Sequence, residues 1–219
     1  MMGGYYSLGE VYDKEKNYDS AIHYYSSFLK ELEPSDIYYK ESFLTRTYKA
    51  LVDCYQDAGD SRLHQLLGLI DMRIMNAGDD AGQLLEILET DLMAIRQDSV
   101  NAKYALPLAR RIQTMPSPDP YIKIFAVDDE FLILKKLKRT REAMQVLERY
   151  HAKNPVEPLI LSEMGWMKIL ANENKSALAY LQQSKQNLNT YYTKQDFNDL
   201  LNKPDFDIVR NTQAFKKLI

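Results

Sequence analysis

Three histidines, one cysteine, a pair of adjacent aspartates and one dense run of cations are the residues of this chain with a capacity for chemistry. His23, His64 and His151 are widely separated, and none sits in a His-Glu-x-x-His pattern that would hold zinc. There is no Gly-x-Ser-x-Gly elbow for a nucleophile and no glycine-rich loop to cradle a phosphate. Cys54 is the only cysteine, so an intramolecular disulfide is excluded and a cysteine-based zinc site lacks ligands. Beside Tyr55 on an apolar helix face, Cys54 reads as a small buried hydrophobe. Asp79-Asp80 is followed by no regular ligand spacing and reads as a helix cap. The run Lys135, Lys136, Lys138, Arg139 and Arg141 has the charge to meet a phosphate or an acidic partner. It reads first as a solvated turn, partly neutralised by Asp128-Asp129-Glu130 upstream. These residues point away from an enzyme and call for no metal or cofactor.

The elements that would position such residues are helical. The 219 residues are 45% hydrophobic and 27% charged, ordinary values for a chain that buries a core. With 28 basic and 31 acidic residues the net charge is −3, which supplies no drive toward nucleic acid or an anionic membrane. No apolar run approaches the ~18 residues of a membrane span. No basic stretch followed by an apolar core opens the chain, so a cytoplasmic location is expected, with a removed signal peptide or a longer upstream region as the alternative.

Tyr5, Leu8, Val11 and Tyr12 follow helical spacing, and so do Tyr18, Ala21, Ile22, Tyr25, Phe28 and Leu29. Pro34 ends the second of these helices. A long helix is expected from the Ser35-Asp36 cap signal to about Asp57, with Tyr48, Leu51, Val52 and Tyr55 on its apolar face and a turn at Gly59-Asp60. Its partner helix degenerates: His64 and Gly68 stand where Ala and an aromatic are wanted. Residues 81–115 give two further helices, Leu84 through Ile95 and Ala102 through Ile112, the second kinked or shortened by Pro107. Met115-Pro116-Ser117-Pro118-Asp119-Pro120 is a joint.

Tyr5-x-x-Leu8-Gly9-x-x-Tyr12, followed by Ala21, Tyr25 and Phe28, resembles the tetratricopeptide repeat. Ala143, Leu147, Tyr150 and Pro155 fit its second helix, and Leu161, Met164, Gly165, Ala177 and Leu181 fit a further repeat; Ala143 and Ala177 are 34 positions apart, one repeat length. The segment Pro204-Asp205-Phe206-Asp207-Ile208-Val209-Arg210-Asn211, with Phe215 and Leu218, resembles the cap that closes many bacterial arrays of this kind. The resemblance implies an all-α fold, a right-handed α-α superhelix of helical hairpins. One regular and two degenerate repeats would occupy 1–115, two further repeats 116–191 and the cap 192–219. Gly9 and Ala21 would face each other in one hairpin, as Gly165 and Ala177 would in another.

The resemblance also implies a function, a non-catalytic protein- or peptide-binding scaffold or adaptor. The alternative is a regulatory or sensor module of a larger signalling protein or enzyme, with the output elsewhere. The first helix of each repeat would line the binding groove. That assigns Tyr6, Glu10 and Asp13, then Arg46, Lys49, Asp53 and Gln56, then Phe125, Asp128, Leu132 and Lys135, then Leu159, Ser162, Trp166 and Ile169. Trp166, the only tryptophan, is either an interface anchor or a packing residue under the next helix or the tail. The carboxylate clamp of some family members is not expected, because its places hold Tyr6, Glu10, Ala50, Ile87 and Asp91. The expected partner is a protein or peptide, with no nucleic acid and no membrane. The apolar face of the first repeat implies either further repeats upstream or a homodimer through that face.

Overall fold

The computed structural model describes residues 2–31, 37–58, 63–93, 95, 98–117 and 119–218, with side chains described at 4–31, 46–58, 65–93, 95, 98–117 and 119–218. Among the described residues the secondary structure is helical, with no strand. No helix there is long and apolar enough to cross a membrane. Two compact units divide the chain, Met1–Leu108 and Ala109–Ile219.

In the first unit α1 (Met2–Lys14) packs on α2 (Tyr18–Glu31), and α2 on α3 (Ile37–Asp57). The long third helix spans the range its periodicity implies. Ser35-Asp36, Pro34 and Gly59-Asp60, the signals assigned to its flanks, lie outside the described residues, as does the side chain of His64. Ala21, Tyr25 and Phe28 of α2 and Leu51, Val52, Cys54 and Tyr55 of α3 are buried together with Leu66 and Ile70 of α4 (Leu63–Ala77). Gly68 of α4 is exposed, and an added Cβ there meets nothing within 4 Å.

The stretch after α4 departs from two plain helices. Asp80 caps α5 (Ala81–Ile87), accepting from the backbone N–H of Gly82 and Gln83. The helix then widens into a π turn at Leu88–Leu92. That turn carries buried Asp91, which accepts from Arg73 of α4, while the Arg73 guanidinium lies 4.1 Å from the Tyr48 ring centroid. A second π turn, Asn101–Ala105, joins the short α6 (Asp98–Val100) to α7 (Leu106–Thr114). Pro107 explains it. A proline cannot donate to the carbonyl four residues back and its ring collides with that carbonyl, so the preceding turn widens and the chain stays helical.

The second unit contains two hairpins and a tail. The hairpins are α8 (Pro120–Lys136) with α9 (Thr140–His151), and α10 (Pro158–Leu170) with α11 (Asn174–Gln186). Each first helix opens on a proline behind an acidic cap, Asp119 and Glu157, where a missing N–H costs nothing. The tail follows as α12 (Lys194–Leu201), a tight turn at Pro204–Phe206, α13 (Asp207–Arg210) and α14 (Gln213–Lys216). Its Phe197, Phe206, Val209 and Phe215 are buried.

The same turn closes three hairpins. Lys16, Lys138 and Asn172 have φ near +60° (58°, 59° and 60°). In each, that residue's N–H donates three residues back and the next N–H donates five back: Lys16 to Asp13 and Asn17 to Tyr12, Lys138 to Lys135 and Arg139 to Leu134, Asn172 to Ile169 and Glu173 to Lys168. This is the Schellman arrangement, which satisfies the last carbonyls of the first helix. Lys138 and Asn172 are 34 positions apart, the same spacing as Ala143 and Ala177.

Inside the hairpins, small residues hold the backbones close. A Cβ on Gly165 would lie 2.7 Å from Leu181 Cγ and 3.2 Å from the Ala177 carbonyl oxygen. A Cβ on Gly9 would lie 2.5 Å from two ring carbons of Tyr25. Gly9 therefore makes room for the Tyr25 ring, and Ala21 is not among its nearest neighbours.

Candidate functional site

In the first unit, α1 and α3 present one face to a common groove. On α1, Tyr6, Glu10 and Asp13 lie three and four residues apart; on α3, Arg46, Lys49, Ala50 and Asp53 do the same, which is the spacing that stacks side chains along one helix face. With Lys14 and Tyr25 they enclose an open groove of 280 Å³. Six of the seven residues assigned to this half of the chain, Tyr6, Glu10, Asp13, Arg46, Lys49 and Asp53, line it together, and Gln56 is not among its lining.

The groove's inner wall is aromatic and its rim is ionic. Tyr6 meets Tyr25 and Phe28, each at 5.7 Å between centroids. Partial burial, and then the Glu10 carboxylate that accepts its hydroxyl, push Tyr6 above the usual phenol range. The Cys54 thiol donates to Asp13 Oδ1 at 3.5 Å, and burial together with that carboxylate pushes the thiol up to about 12. Cys54 is therefore an inert thiol that holds Asp13 in place. Lys14, Arg46 and Lys49 face Glu10, Asp13 and Asp53. A groove with three cations, three carboxylates and an aromatic floor can accept a polar segment carrying both charge signs.

In the second unit the assigned residues separate into two environments. Phe125 is half-buried with its ring edge-on to Tyr191 at 6.1 Å, and Leu132 is half-buried as well. Leu159, Ser162, Trp166 and Ile169 are buried. The Ser162 hydroxyl donates to the Leu159 carbonyl at 2.7 Å. Trp166 is 5% exposed and lies under the tail. Its indole N–H donates to Asp205 Oδ2 at 2.8 Å, and its ring stands at 6.2 Å from Phe131. Lys135 Nζ and Lys203 Nζ sit 3.4 and 3.8 Å from the ring centroid, within cation–π range.

Three positions before Trp166 lies the buried Glu163, whose Oε2 has no hydrogen-bond partner among the described residues. Burial, and next the Asp128 charge, hold its carboxyl well above the ordinary range, with Lys203 and Lys135 opposing them. Burial likewise lowers Lys135, against the pull of Asp205 and Glu163. Two tail residues that sequence reasoning left out, Lys203 and Asp205, thus complete this cluster. They lie 37 and 39 positions beyond Trp166, and no local signal links them to it.

The basic run also divides. Lys135 covers Trp166, Arg139 pairs with Glu142 at 2.6 Å, and Lys138 occupies the tight turn. Glu130 pairs with Arg110 at 2.7 Å and accepts from Gln113, and its charge also acts on Arg139 of the run. No group of three or more His, Cys, Asp or Glu side chains able to hold a metal occurs among the described residues. No family model matches the chain, and no curated protein matches it.

Proposed function

We propose that the chain is a non-catalytic scaffold or adaptor that binds a protein or peptide segment, built of tetratricopeptide-like hairpins that stack with right-handed curvature inside each unit. The repeat reading is supported by the shared turn at Lys16, Lys138 and Asn172 and by the close approaches at Gly9 and Gly165. The observation that carries the functional reading is the groove of α1 and α3. Six residues assigned to binding converge there, from segments more than thirty positions apart, around an aromatic wall with charges of both signs. Such a surface gives orientation and selectivity to an extended partner through its charge pattern.

The test is selection of peptides from a random display library on the full chain, followed by calorimetry. Selected peptides are expected to lose about tenfold or more in affinity, ~1.4 kcal/mol, on Arg46→Glu or Lys49→Glu, with helix content unchanged. Peptides that bind both variants as they bind the parent would overturn the assignment of the groove.

A further inference from the structure

Grooves on this molecule differ sharply in charge. The groove of α1 and α3 sets Lys14, Arg46 and Lys49 against three carboxylates. A second, between α9 and α10, sets Arg141 and Lys168 against Glu148 and Glu173. In both of these grooves cations and carboxylates share the rim. A third groove, of 400 Å³ in the second unit, is different: it is lined by Lys123, Arg149 and Lys153 and by no carboxylate.

The helices bring these cations together. Lys123 and Val127 lie one turn apart on α8, and Val146, Arg149 and Tyr150 share a face of α9. Lys153 follows in the turn where its N–H and that of Asn154 both donate to the Tyr150 carbonyl. Val127 and Val146 are buried and form the floor. Among the described residues none of the three cations makes an ion pair. The C-terminal end of α9 supplies about half a negative charge, a fraction of what three cations require. Gln113 spends its amide N–H groups on Glu130 and Ala126, and Asn154 spends one of its two on Tyr150. Arg149 Nε donates to the Gln145 carbonyl at 3.4 Å, so the donors left on the lining are the two ammonium groups, the terminal guanidinium nitrogens, one Asn154 amide N–H and the Tyr150 hydroxyl. Burial, then the charge of Glu157, push that hydroxyl up to about 12, so it keeps its proton. Glu157 itself is occupied as the cap of α10 and by the Tyr191 hydroxyl.

We propose that this groove binds a phosphate monoester, with the dianion among Lys123, Arg149 and Lys153 and the apolar body of the ester against Val127 and Val146. A monoester brings close to two negative charges and three acceptor oxygens, and the guanidinium supplies directional paired donors. A carboxylate, with one charge, leaves the groove basic. The ester is either a free phosphorylated small molecule or a phosphorylated side chain of a partner. The site shares no residue with the groove of α1 and α3, so either assignment can fail alone.

The full chain, labelled with ¹⁵N, is titrated with phenyl phosphate, with benzoate, and with an Ala/Gly peptide carrying one phosphotyrosine or the same peptide unphosphorylated. Phenyl phosphate or the phosphopeptide is expected to shift the amide resonances of Lys123 and of Arg149 through Asn154. Arg149→Gln and Lys153→Gln are each expected to weaken binding about tenfold with far-UV circular dichroism unchanged, and Lys123→Gln gives the same test from the other helix. Saturation by phenyl phosphate identifies a free ester as sufficient. Binding at least about tenfold tighter to the phosphopeptide identifies a phosphorylated partner. Equal response to benzoate, no shift with either phosphate probe, or affinities unaffected by all three variants would overturn the proposal.

Discussion

Gly165→Ala tests the close approach of α10 and α11. The new methyl would sit 2.7 Å from Leu181 Cγ, 2.9 Å from Leu181 Cδ2 and 3.2 Å from the Ala177 carbonyl oxygen. Ordinary carbon contacts begin at ~3.5 Å, so the methyl overlaps all three. Leu181 is fully buried, and the third contact is backbone. The helices must move apart by several tenths of an ångström, an overpacking cost of about 1–3 kcal/mol. Alanine in place of glycine in a helix returns about 1 kcal/mol. The net expectation is a loss of about 0–2 kcal/mol. Gly68→Ala is the matched control, since its methyl meets nothing within 4 Å and should gain the full helical term of about 1 kcal/mol. Urea unfolding read by Trp166 fluorescence for the first variant, and by circular dichroism for the second, gives both values. Gly165→Ala stabilised as much as Gly68→Ala would refute the packing.

Further outcomes follow from the cluster under the tail and from the turns. Trp166 in the free protein is expected to resist acrylamide quenching, and Asp205→Ala to increase it by freeing the indole N–H; strong quenching of the parent would place Trp166 at the surface. The native Glu163 carboxyl titrates well above 4.5, so the folded state holds a proton that the unfolded chain releases. Its favourable contribution is complete below pH 4.5 and is lost as pH rises through the native pKa. Glu163→Gln should therefore raise Tm at neutral pH and converge with the parent in acid; a lower Tm at neutral pH would show an ionised Glu163 held by Lys135 and Lys203. Lys138→Gly relieves a side chain at φ 59°, where L-residues lose about 1–2 kcal/mol. After the entropy cost of glycine it should be neutral or up to about 1 kcal/mol stabilising, and a clear loss in thermal unfolding would contradict that turn geometry.

The sequence by itself determined the helices and the small residues at their contacts. A period of 3.6 runs through α2, α3, α7 and α9, so their helical state and the extent of α3 at Ile37–Asp57 are local properties. The approach of Gly165 to Ala177 and Leu181 follows from their place in one hairpin, as does the convergence of Tyr6 and Glu10 on one face of α1 and of Arg46, Lys49 and Asp53 on one face of α3. Tertiary structure decided the rest. Whether Trp166 is open or covered depends on where a tail 37 to 39 positions later comes to lie, and helical spacing carries no information across that separation. The Tyr25 ring beside Gly9 was set by the rotation of α2 against α1, which a residue pattern leaves undetermined by one helical turn. The burial of Glu163 near Asp128, Lys135 and Lys203 exists because separate segments come together around it, and no local pattern in the sequence marks it. The uncompensated charge of Lys123, Arg149 and Lys153 is likewise a property of packed helices, since in the sequence each cation stands alone among neighbours of either sign.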